Sequence, residues 1–232
     1  MKGLISTSHD PAFNLATEEF LLKNRNDDLF FLYINKTSII AGKHQNVLAE
    51  INYKATQKHN INVYRRLSGG GTVYHDLGNI NFCFISNTKQ GEFIDFRHNS
   101  SIIAKSLEKT GLKPTIGKRN DISIDGLKIS GNASHVFKNR SLHHGTLLFD
   151  SNLQTLNECL NNDYQRYTDK AVKSVKSEVT NIINHLKVKL SINKFIDHIY
   201  NDLHKPEDKN ISLTEDEILA INNLVTTKYT IS

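Results

Sequence analysis

Three consecutive glycines, Gly69, Gly70 and Gly71, constrain the fold of this chain more than any other feature. An apolar segment at 61–66 leads into them and another follows at 80–85, and both segments predict strands. Glycine lacks a Cβ atom, so it accepts backbone angles closed to other residues and lets a ligand lie against main-chain N–H groups. The glycines therefore predict either an ordinary turn between strands or a loop that binds an anion.

The residues around the glycines favour the anion-binding interpretation. Cations and hydrogen-bonding groups crowd the same stretch: Arg65, Arg66, Ser68, His75 and Asp76. Such groups suit a nucleotide phosphate. The stretch is not a Walker A loop, because neither GKS nor GKT follows the glycines, and the GxGxxG pattern of dinucleotide-binding folds is absent from it.

Composition limits the classes of function. The 232 residues are 38% hydrophobic and carry a formal charge of +5, which fits nucleotide phosphates or an acidic protein partner. There is no long basic tract, no apolar run of membrane-spanning length and no signal peptide. We therefore predict a cytoplasmic protein that binds neither nucleic acid nor membrane. Cys83 and Cys159 form no CxxC pair, which argues against structural zinc and a disulfide framework.

The hydrophobic pattern alternates hairpins with separated helices and predicts an α+β fold. Asp10 and Pro11 predict the start of the first helix, and Ser212 with Glu215 predicts a capping box before the last one. The dipeptide Asp125-Gly126 predicts a tight hairpin. The predicted helices are 50–59, 101–110, 192–203 and 213–225, and the predicted strands include 29–34, 38–41, 122–124, 127–130, 134–137 and 142–149.

A second polar cluster, GKRNDISIDGLKISGNA, spans residues 117–133. Lys128 is its strongest candidate for chemistry, because an ammonium group on a strand after a tight turn can lie between a carbonyl oxygen and a phosphate. The alternative is a solvated strand lysine, the usual state of that residue. Asp121 is either a carboxylate that helps to hold Mg²⁺ or an ordinary turn residue.

Two further features complete the sequence pattern. Lys170, Lys173 and Lys176 recur every third residue, which is typical of a charged helix face or of a loop that folds over a nucleotide. His143 and His144 are adjacent on a predicted strand, so their side chains point to opposite faces and are poor partners for one metal ion. At least one of them is expected to have a structural role.

These clusters together resemble the lipoate–protein ligase family. The resemblance rests on the ordered stretches DPAFNLATEE, RRLSGGGTVYHDLGN, GKRND, KISGNA, HHGTLL and KSVKSEVTN, and it covers the chain from about residue 4 to the end. It implies the fold of the biotin and lipoate ligase catalytic domains, which is a mixed, mostly antiparallel β-sheet flanked by helices. Residues 1–232 would form the catalytic (large) domain, with a helical C-terminal segment from about residue 186.

The resemblance also implies a two-step reaction. Lipoate reacts with ATP in the presence of Mg²⁺ to give lipoyl-AMP, and a lysine of an acceptor lipoyl domain then takes the lipoyl group. The implied acceptors are the E2 subunits of 2-oxoacid dehydrogenases and the glycine cleavage H protein. Carried over by position, Lys128 is the catalytic residue, and Lys128, Gly70 and Gly71 contact lipoate. The implied ATP and lipoyl-AMP site is Arg66, Ser68, Gly69, Gly70, Gly71, Thr72, Val73, Tyr74, Lys128, Lys173, Ser174 and Val175.

One departure from the family pattern bears on the first step. Many members continue with a small, Trp-rich C-terminal domain, whereas this sequence ends at TTKYTIS and contains no Trp. We therefore expect that domain to be absent, so that this is either a catalytic subunit that needs a separate accessory domain for activation or a shortened chain. Transfer from preformed lipoyl-AMP is then the safer expectation for this chain alone.

Three alternatives remain open from sequence. A lipoyl or octanoyl transferase of the same fold would take its acyl group from a carrier through an acyl-cysteine, although Cys83 lies in an apolar strand and is expected to be buried and inert. A biotin ligase fits the KISGNA and RRLSGGG context less well. The third alternative is a non-catalytic binder of lipoyl domains or nucleotides.

Overall fold

The computed structural model describes residues 1–89, 95–160, 170–205, 207–208 and 211–230. These residues form eleven strands and seven α-helices. The strands are β1 (Lys2–Ile5), β2 (Leu29–Ile34), β3 (Ser38–Ala41), β4 (Asn62–Arg65), β5 (Val73–His75), β6 (Asn79–Asn87), β7 (Pro114–Ile116), β8 (Ile122–Ile124), β9 (Leu127–Ser130), β10 (Asn132–Phe137) and β11 (Arg140–Leu148). The helices are α1 (Pro11–Asn24), α2 (Val47–Glu50), α3 (Tyr53–Lys58), α4 (Phe96–Glu108), α5 (Leu153–Cys159), α6 (Ile192–Leu203) and α7 (Glu215–Thr227).

A five-stranded sheet in the order β1-β2-β6-β11-β10 forms the centre of the molecule. Only the β1–β2 pair is parallel in this sheet, and its other three pairs are antiparallel. Helices flank the sheet, so the predicted mixed, mostly antiparallel α+β fold is confirmed.

The central strands are buried on both faces, and their side chains alternate between two cores. On β2, Phe30 belongs to a core that includes residues of α4 and α6, whereas Phe31 belongs to a core that includes residues of α1 and α7. Phe82 and Cys83 of β6 divide in the same way. The near-continuous apolar sequence of β2 and β6 therefore reflects helices on either side of the sheet.

Two small sheets extend this framework toward the polar clusters of the sequence. One has the order β4-β3-β5, and the chain from β4 to β5 contains the three glycines. The other has the order β7-β8-β9, and β9 carries Lys128. The predicted hairpin between β8 and β9 is confirmed, with Asp125 at φ 51° and Gly126 at φ 80°. Positive φ at both residues is what a tight two-residue hairpin requires.

Several predicted boundaries are wrong. The predicted helix at 50–59 is the shorter helix α3, which starts at Tyr53 because the side chain of Asn52 accepts a hydrogen bond from Ala55 N–H and caps it; Glu50 ends the separate helix α2. The capping box before the last helix uses Thr214 and Glu217 rather than Ser212 and Glu215. The strand that first leaves the glycine loop is β5, and β6 follows it. Across the described ranges, no helix combines the length and apolar character needed to cross a membrane.

Candidate functional site

The three polar clusters of the sequence meet at one cavity of about 350 Å³. Its wall includes the glycine loop, β9, β11 and the segment 172–175, which we call the lysine loop. The predicted site residues that line it are Arg66, Gly70, Gly71, Thr72, Val73, Asp121, Lys128, Lys173, Ser174 and Val175. A neighbouring cavity of about 370 Å³ shares part of this wall and includes Tyr74. Ser68 is fully buried, and neither Ser68 nor Gly69 lines either cavity.

Arg66 holds the shape of the glycine loop. Its guanidinium group is buried and donates to the carbonyl oxygens of Gly69 at 2.5 Å, Gly71 at 2.8 Å and Ile40 at 3.1 Å. Burial lowers the pKa of Arg66 to about 10, although the nearby Glu18 carboxylate counteracts that shift. Much of the donor capacity of Arg66 is therefore used on the loop itself, and its contact with a nucleotide stays a prediction.

The lysine loop is bound directly to the glycine loop. The Ser174 hydroxyl accepts hydrogen bonds from Thr72 N–H at 2.9 Å and from the Gln45 side-chain amide at 3.0 Å. The Gln45 carbonyl oxygen in turn accepts from Gly42 N–H at 3.0 Å and from the Thr72 hydroxyl at 2.8 Å. Residues 170–178 form no helix, so the helix interpretation of the lysine repeat is wrong, and a loop that folds over a nucleotide stays a prediction.

The glycine loop also depends on a glycine outside the triplet. A Cβ atom at Gly42 would lie 2.1 Å from the carbonyl oxygen of Gly70, so only glycine allows the two backbones to come this close. Gly70 itself has φ 83°, a conformation that favours glycine. Sequence reasoning missed both Gly42 and Gln45, because neither belongs to a recognisable motif. They act through contacts between segments distant in the chain.

Lys128 extends from β9 into the cavity wall. Its backbone N–H donates to the Glu178 carbonyl at 2.9 Å, and its carbonyl accepts from Thr180 N–H at 3.0 Å. Its side-chain nitrogen lies 3.6 Å from the position that a Cβ atom would take at Gly131. Burial lowers the pKa of Lys128, and the Asp121 carboxylate counteracts the shift. Within the described part of the chain, this amine has no hydrogen-bond acceptor and is available to a ligand.

A buried chain of polar side chains supports the glycine loop from behind. Glu18 accepts hydrogen bonds from the Tyr33 hydroxyl at 3.0 Å and from His144 Nδ1 at 2.7 Å. His144 Nε2 lies 2.6 Å from the Ser68 hydroxyl, which also accepts from Arg66 Nε at 3.0 Å. The order Ser–His–Glu matches that of a hydrolase triad. Because Ser68 is fully buried and lines neither cavity, the chain positions Arg66 instead.

Asp121 is the one carboxylate among the described residues that line this cavity. It lines the cavity together with Lys128, and a Cβ atom at Gly117 would lie 2.5 Å from its Oδ1. In the described ranges, no group of three or more His, Cys, Asp or Glu residues could hold a metal ion. One carboxylate fits Mg²⁺ that arrives with nucleotide phosphates, because this ion keeps several waters and needs few protein ligands.

Comparison with known proteins begins with a family match. Residues 10–204 match the family model described as the lipoyl protein ligase A/B catalytic domain. The lipoate-protein ligase LplJ of Bacillus subtilis is 37% identical over 227 residues, which cover 95% of this chain and 69% of that protein. Lipoate–protein ligase 1 of Staphylococcus aureus is 39% identical over 223 residues, which cover 95% of this chain and 68% of that protein.

Solved structures show the same fold. The P. falciparum protein LipL1, solved with lipoate, is 28% identical, with a TM-score of 0.79 over 97% of this chain and 71% of that chain. A lipoate-protein ligase A bound with ATP has a TM-score of 0.84 at 24% identity, over 100% of this chain and 97% of that one.

Proposed function

Because this chain belongs to the lipoyl protein ligase A/B catalytic domain family, we propose that it activates lipoate with ATP and transfers the lipoyl group to an acceptor protein. The prediction of the lipoate–protein ligase family is confirmed, and the chain is an enzyme of that family. One observation carries the assignment of the site. The glycine loop, Lys128 and the lysine loop, which are far apart in sequence, line a single cavity.

In the first step, a carboxylate oxygen of lipoate attacks the α-phosphorus of ATP, the bond to pyrophosphate breaks, and lipoyl-AMP forms. Negative charge develops on the phosphoryl oxygens as the attack proceeds. The backbone of Lys128 is anchored to Glu178 and Thr180, and its ammonium group meets no other acceptor in the described residues. A cation fixed in advance stabilises the transition state more than the ground state, because it does not reorganise during the reaction.

In the second step, the neutral amine of an acceptor lysine attacks the acyl carbon, and the bond to AMP breaks. The amine loses a proton as the amide forms, and AMP leaves. The unperturbed pKa of a lysine is about 10.4, so only a small fraction of the amine is neutral at pH 7. Lys128 polarises the acyl carbonyl in this step, and no nucleophile of the enzyme is needed.

The cavity also provides an apolar wall for the acyl chain. Leu15, Ile40 and Val73 lie on it, and Leu15 and Ile40 are buried in the core beside α1. Apolar side chains favour the hydrocarbon part of lipoate because its burial removes apolar surface from water. Where Mg²⁺ accompanies the nucleotide, Asp121 would hold it and the ion would supply charge neutralisation at the phosphates.

Mass spectrometry of a purified lipoyl domain tests the proposal. The domain is incubated with this protein, Mg²⁺, lipoate and ATP, and in parallel with synthetic lipoyl-AMP. A lipoyl mass gain in both reactions supports activation and transfer by this chain alone. A gain with lipoyl-AMP only means that activation needs a separate accessory domain. No gain in either reaction would overturn the proposal.

The acyl-cysteine alternative is weakened by the environment of Cys83. This thiol is fully buried, and burial together with the Glu18 carboxylate raises its pKa well above the ordinary value. We expect Cys83→Ser to keep most of the transfer activity. Lost turnover in that variant, together with a trapped acyl-enzyme in the unaltered protein, would support the carrier-dependent transferase instead.

The finer assignments belong to the same proposal. E2 lipoyl domains and the glycine cleavage H protein are the acceptors that the sequence predicts, and a cytoplasmic location is the predicted setting. A non-catalytic binder of lipoyl domains would not require the amine of Lys128 on the cavity wall. Binding of a lipoyl domain without any mass gain would favour that alternative.

A further inference from the structure

The cavity contains one buried donor that the proposed reaction does not use. His75 on β5 is only 3% exposed and lines the cavity. Its Nδ1 lies 3.0 Å from the side-chain nitrogen of Asn35, whereas its Nε2 is buried and has no hydrogen-bond partner in the described part of the chain. Buried polar atoms are rarely left without a partner, so this one points to a ligand.

A chain of amide groups determines which nitrogen of His75 carries the proton. Asn14 donates to the Asn35 side-chain oxygen at 2.8 Å, so the Asn35 side-chain nitrogen donates to His75 Nδ1. The orientation of Asn14 is determined in turn, because its oxygen accepts from the Ser6 hydroxyl at 2.6 Å and its nitrogen donates to the Ser8 carbonyl at 2.9 Å. His75 Nδ1 is therefore an acceptor, and Nε2 carries the hydrogen.

The imidazole of His75 is neutral. Burial, and then the positive charge of Arg66, lowers its pKa to about 3. At neutral pH the ring therefore presents a single N–H donor and no charge. Such a group distinguishes a ligand atom that accepts a hydrogen bond from one that does not.

His75 and Lys128 line the same cavity, but only Lys128 also lines the neighbouring one. Lys128, Thr72 and Ser174 are shared with the neighbouring cavity, on the side that we assign to the nucleotide. The inner wall of this cavity, which the neighbouring cavity does not share, includes the buried residues His75, Tyr33 and Ile40. If the lipoate carboxylate lies at Lys128, its chain extends toward this inner wall.

We propose that His75 Nε2–H donates a hydrogen bond to a dithiolane sulfur of lipoate and thereby selects lipoate over octanoate. The inference rests on the proposed function and specifies the substrate of that site. Octanoate ends in a methyl group, which would leave the donor buried and unpaired. Sulfur is a weak acceptor, so the expected selectivity is modest, about tenfold in kcat/KM.

The first test leaves the protein unaltered. Lipoate, octanoate and 5-cyclopentylpentanoate, which keeps the ring but replaces both sulfurs with carbon, compete as their acyl-AMP anhydrides for one lipoyl domain. We expect transfer of all three and a preference of about tenfold for the lipoyl group over the cyclopentyl analogue. Equal rates for these two would overturn the inference and leave the proposed function intact. No transfer of any of the three would overturn the proposed function.

Substitutions then assign the preference to His75. His75→Phe removes the donor and keeps a ring, so the preference should fall toward one, through slower lipoyl transfer. His75→Gln keeps an N–H donor and should restore part of it. Ile40→Val changes the same wall without removing a donor and should alter both substrates equally. If the melting temperature of His75→Phe is well below that of the unaltered protein, the preferences of His75→Gln and Ile40→Val are compared with each other instead. A preference unchanged in both histidine variants would contradict the assignment.

Discussion

We call the part of the cavity lined by His75 and His144 its inner end, and the part lined by Asp121 and Lys128 its outer end. The two ends hold their polar groups in different ways. At the inner end, His75 and His144 are buried, and chains of hydrogen bonds from neighbouring elements fix their orientation. At the outer end, Asp121 and Lys128 are only partly buried and carry opposite charges. The inner end can therefore recognise the shape of a neutral group. The outer end instead binds the charged groups of the substrate.

The largest expected effect lies at the outer end. Lys128→Ala should lower lipoyl transfer by about 10³-fold, because it removes a charge positioned for the developing oxyanion. The melting temperature should change little, because no described residue accepts a hydrogen bond from that amine. Lys187→Ala removes an exposed lysine elsewhere and serves as the matched control. Transfer at a near-normal rate in Lys128→Ala would remove the distinction between the two ends.

The next prediction concerns the backbone beneath the glycine loop. Gly42→Ala should lower the free energy of unfolding by about 2 kcal/mol, because its Cβ would meet a main-chain carbonyl that cannot move aside. For a chain of this size, the melting temperature should fall by about 4–8 °C. In Gly69→Ala, the nearest atom to the new Cβ is 3.9 Å away, so its stability should be nearly unchanged. Equal stability of the two variants would contradict the close approach.

The difference between Gly42 and the three consecutive glycines also shows what the sequence could and could not predict. The triplet glycines, Lys128 and Asp121 lie within local patterns whose chemistry is readable, and the structure brings their clusters together. Gly42 and Gln45 lie in an ordinary loop after β3. Their roles come from tertiary contacts with Gly70 and Ser174, which are distant in the sequence. Local patterns are visible in one sequence, whereas such long-range contacts are not.

The wrongly predicted boundaries also come from side-chain interactions that an apolar pattern does not show. The chain at 50–59 has the composition of one helix, but the helix starts only at Tyr53, after the cap formed by the side chain of Asn52. Glu18 looks like a solvent-facing acid of α1, yet it is 3% exposed and accepts two buried hydrogen bonds. A pattern of apolar residues indicates which face of a helix is buried, but it does not reveal a polar network formed within that face.

A pH titration tests the buried histidines. Burial lowers the pKa of His75 to about 3 and of His143 to about 4, from an ordinary value of 6.5. Below pH 6.5 the unfolded chain therefore binds protons that the folded chain does not, so stability falls as the pH falls. From pH 6.5 to pH 5, each histidine should cost about 2 kcal/mol of unfolding free energy.

His143→Gln separates this effect from other titrations. His143 is buried, lies 3.0 Å from the Ser134 hydroxyl and stacks on Phe96, so the substitution lowers stability at every pH. The informative quantity is the slope of unfolding free energy against pH between 6.5 and 4, which should fall by up to one proton. His98→Gln, at an exposed position, is the control. An unchanged slope in His143→Gln would show that this histidine binds its proton equally in both states.

The smallest expected effect concerns the hydrogen bonds of Ser174, which join the lysine loop to the glycine loop. Ser174→Ala removes the acceptor that binds Thr72 N–H and the Gln45 amide, which are otherwise buried. Losing such bonds costs about 1–2 kcal/mol, so the KM for ATP should rise roughly tenfold if the lysine loop covers the nucleotide. Ser212→Ala, at an exposed position that lines neither cavity, is the control. If kcat falls instead while KM is unchanged, these hydrogen bonds stabilise the transition state. The lysine loop would then act with Lys128 in the chemical step rather than in nucleotide binding.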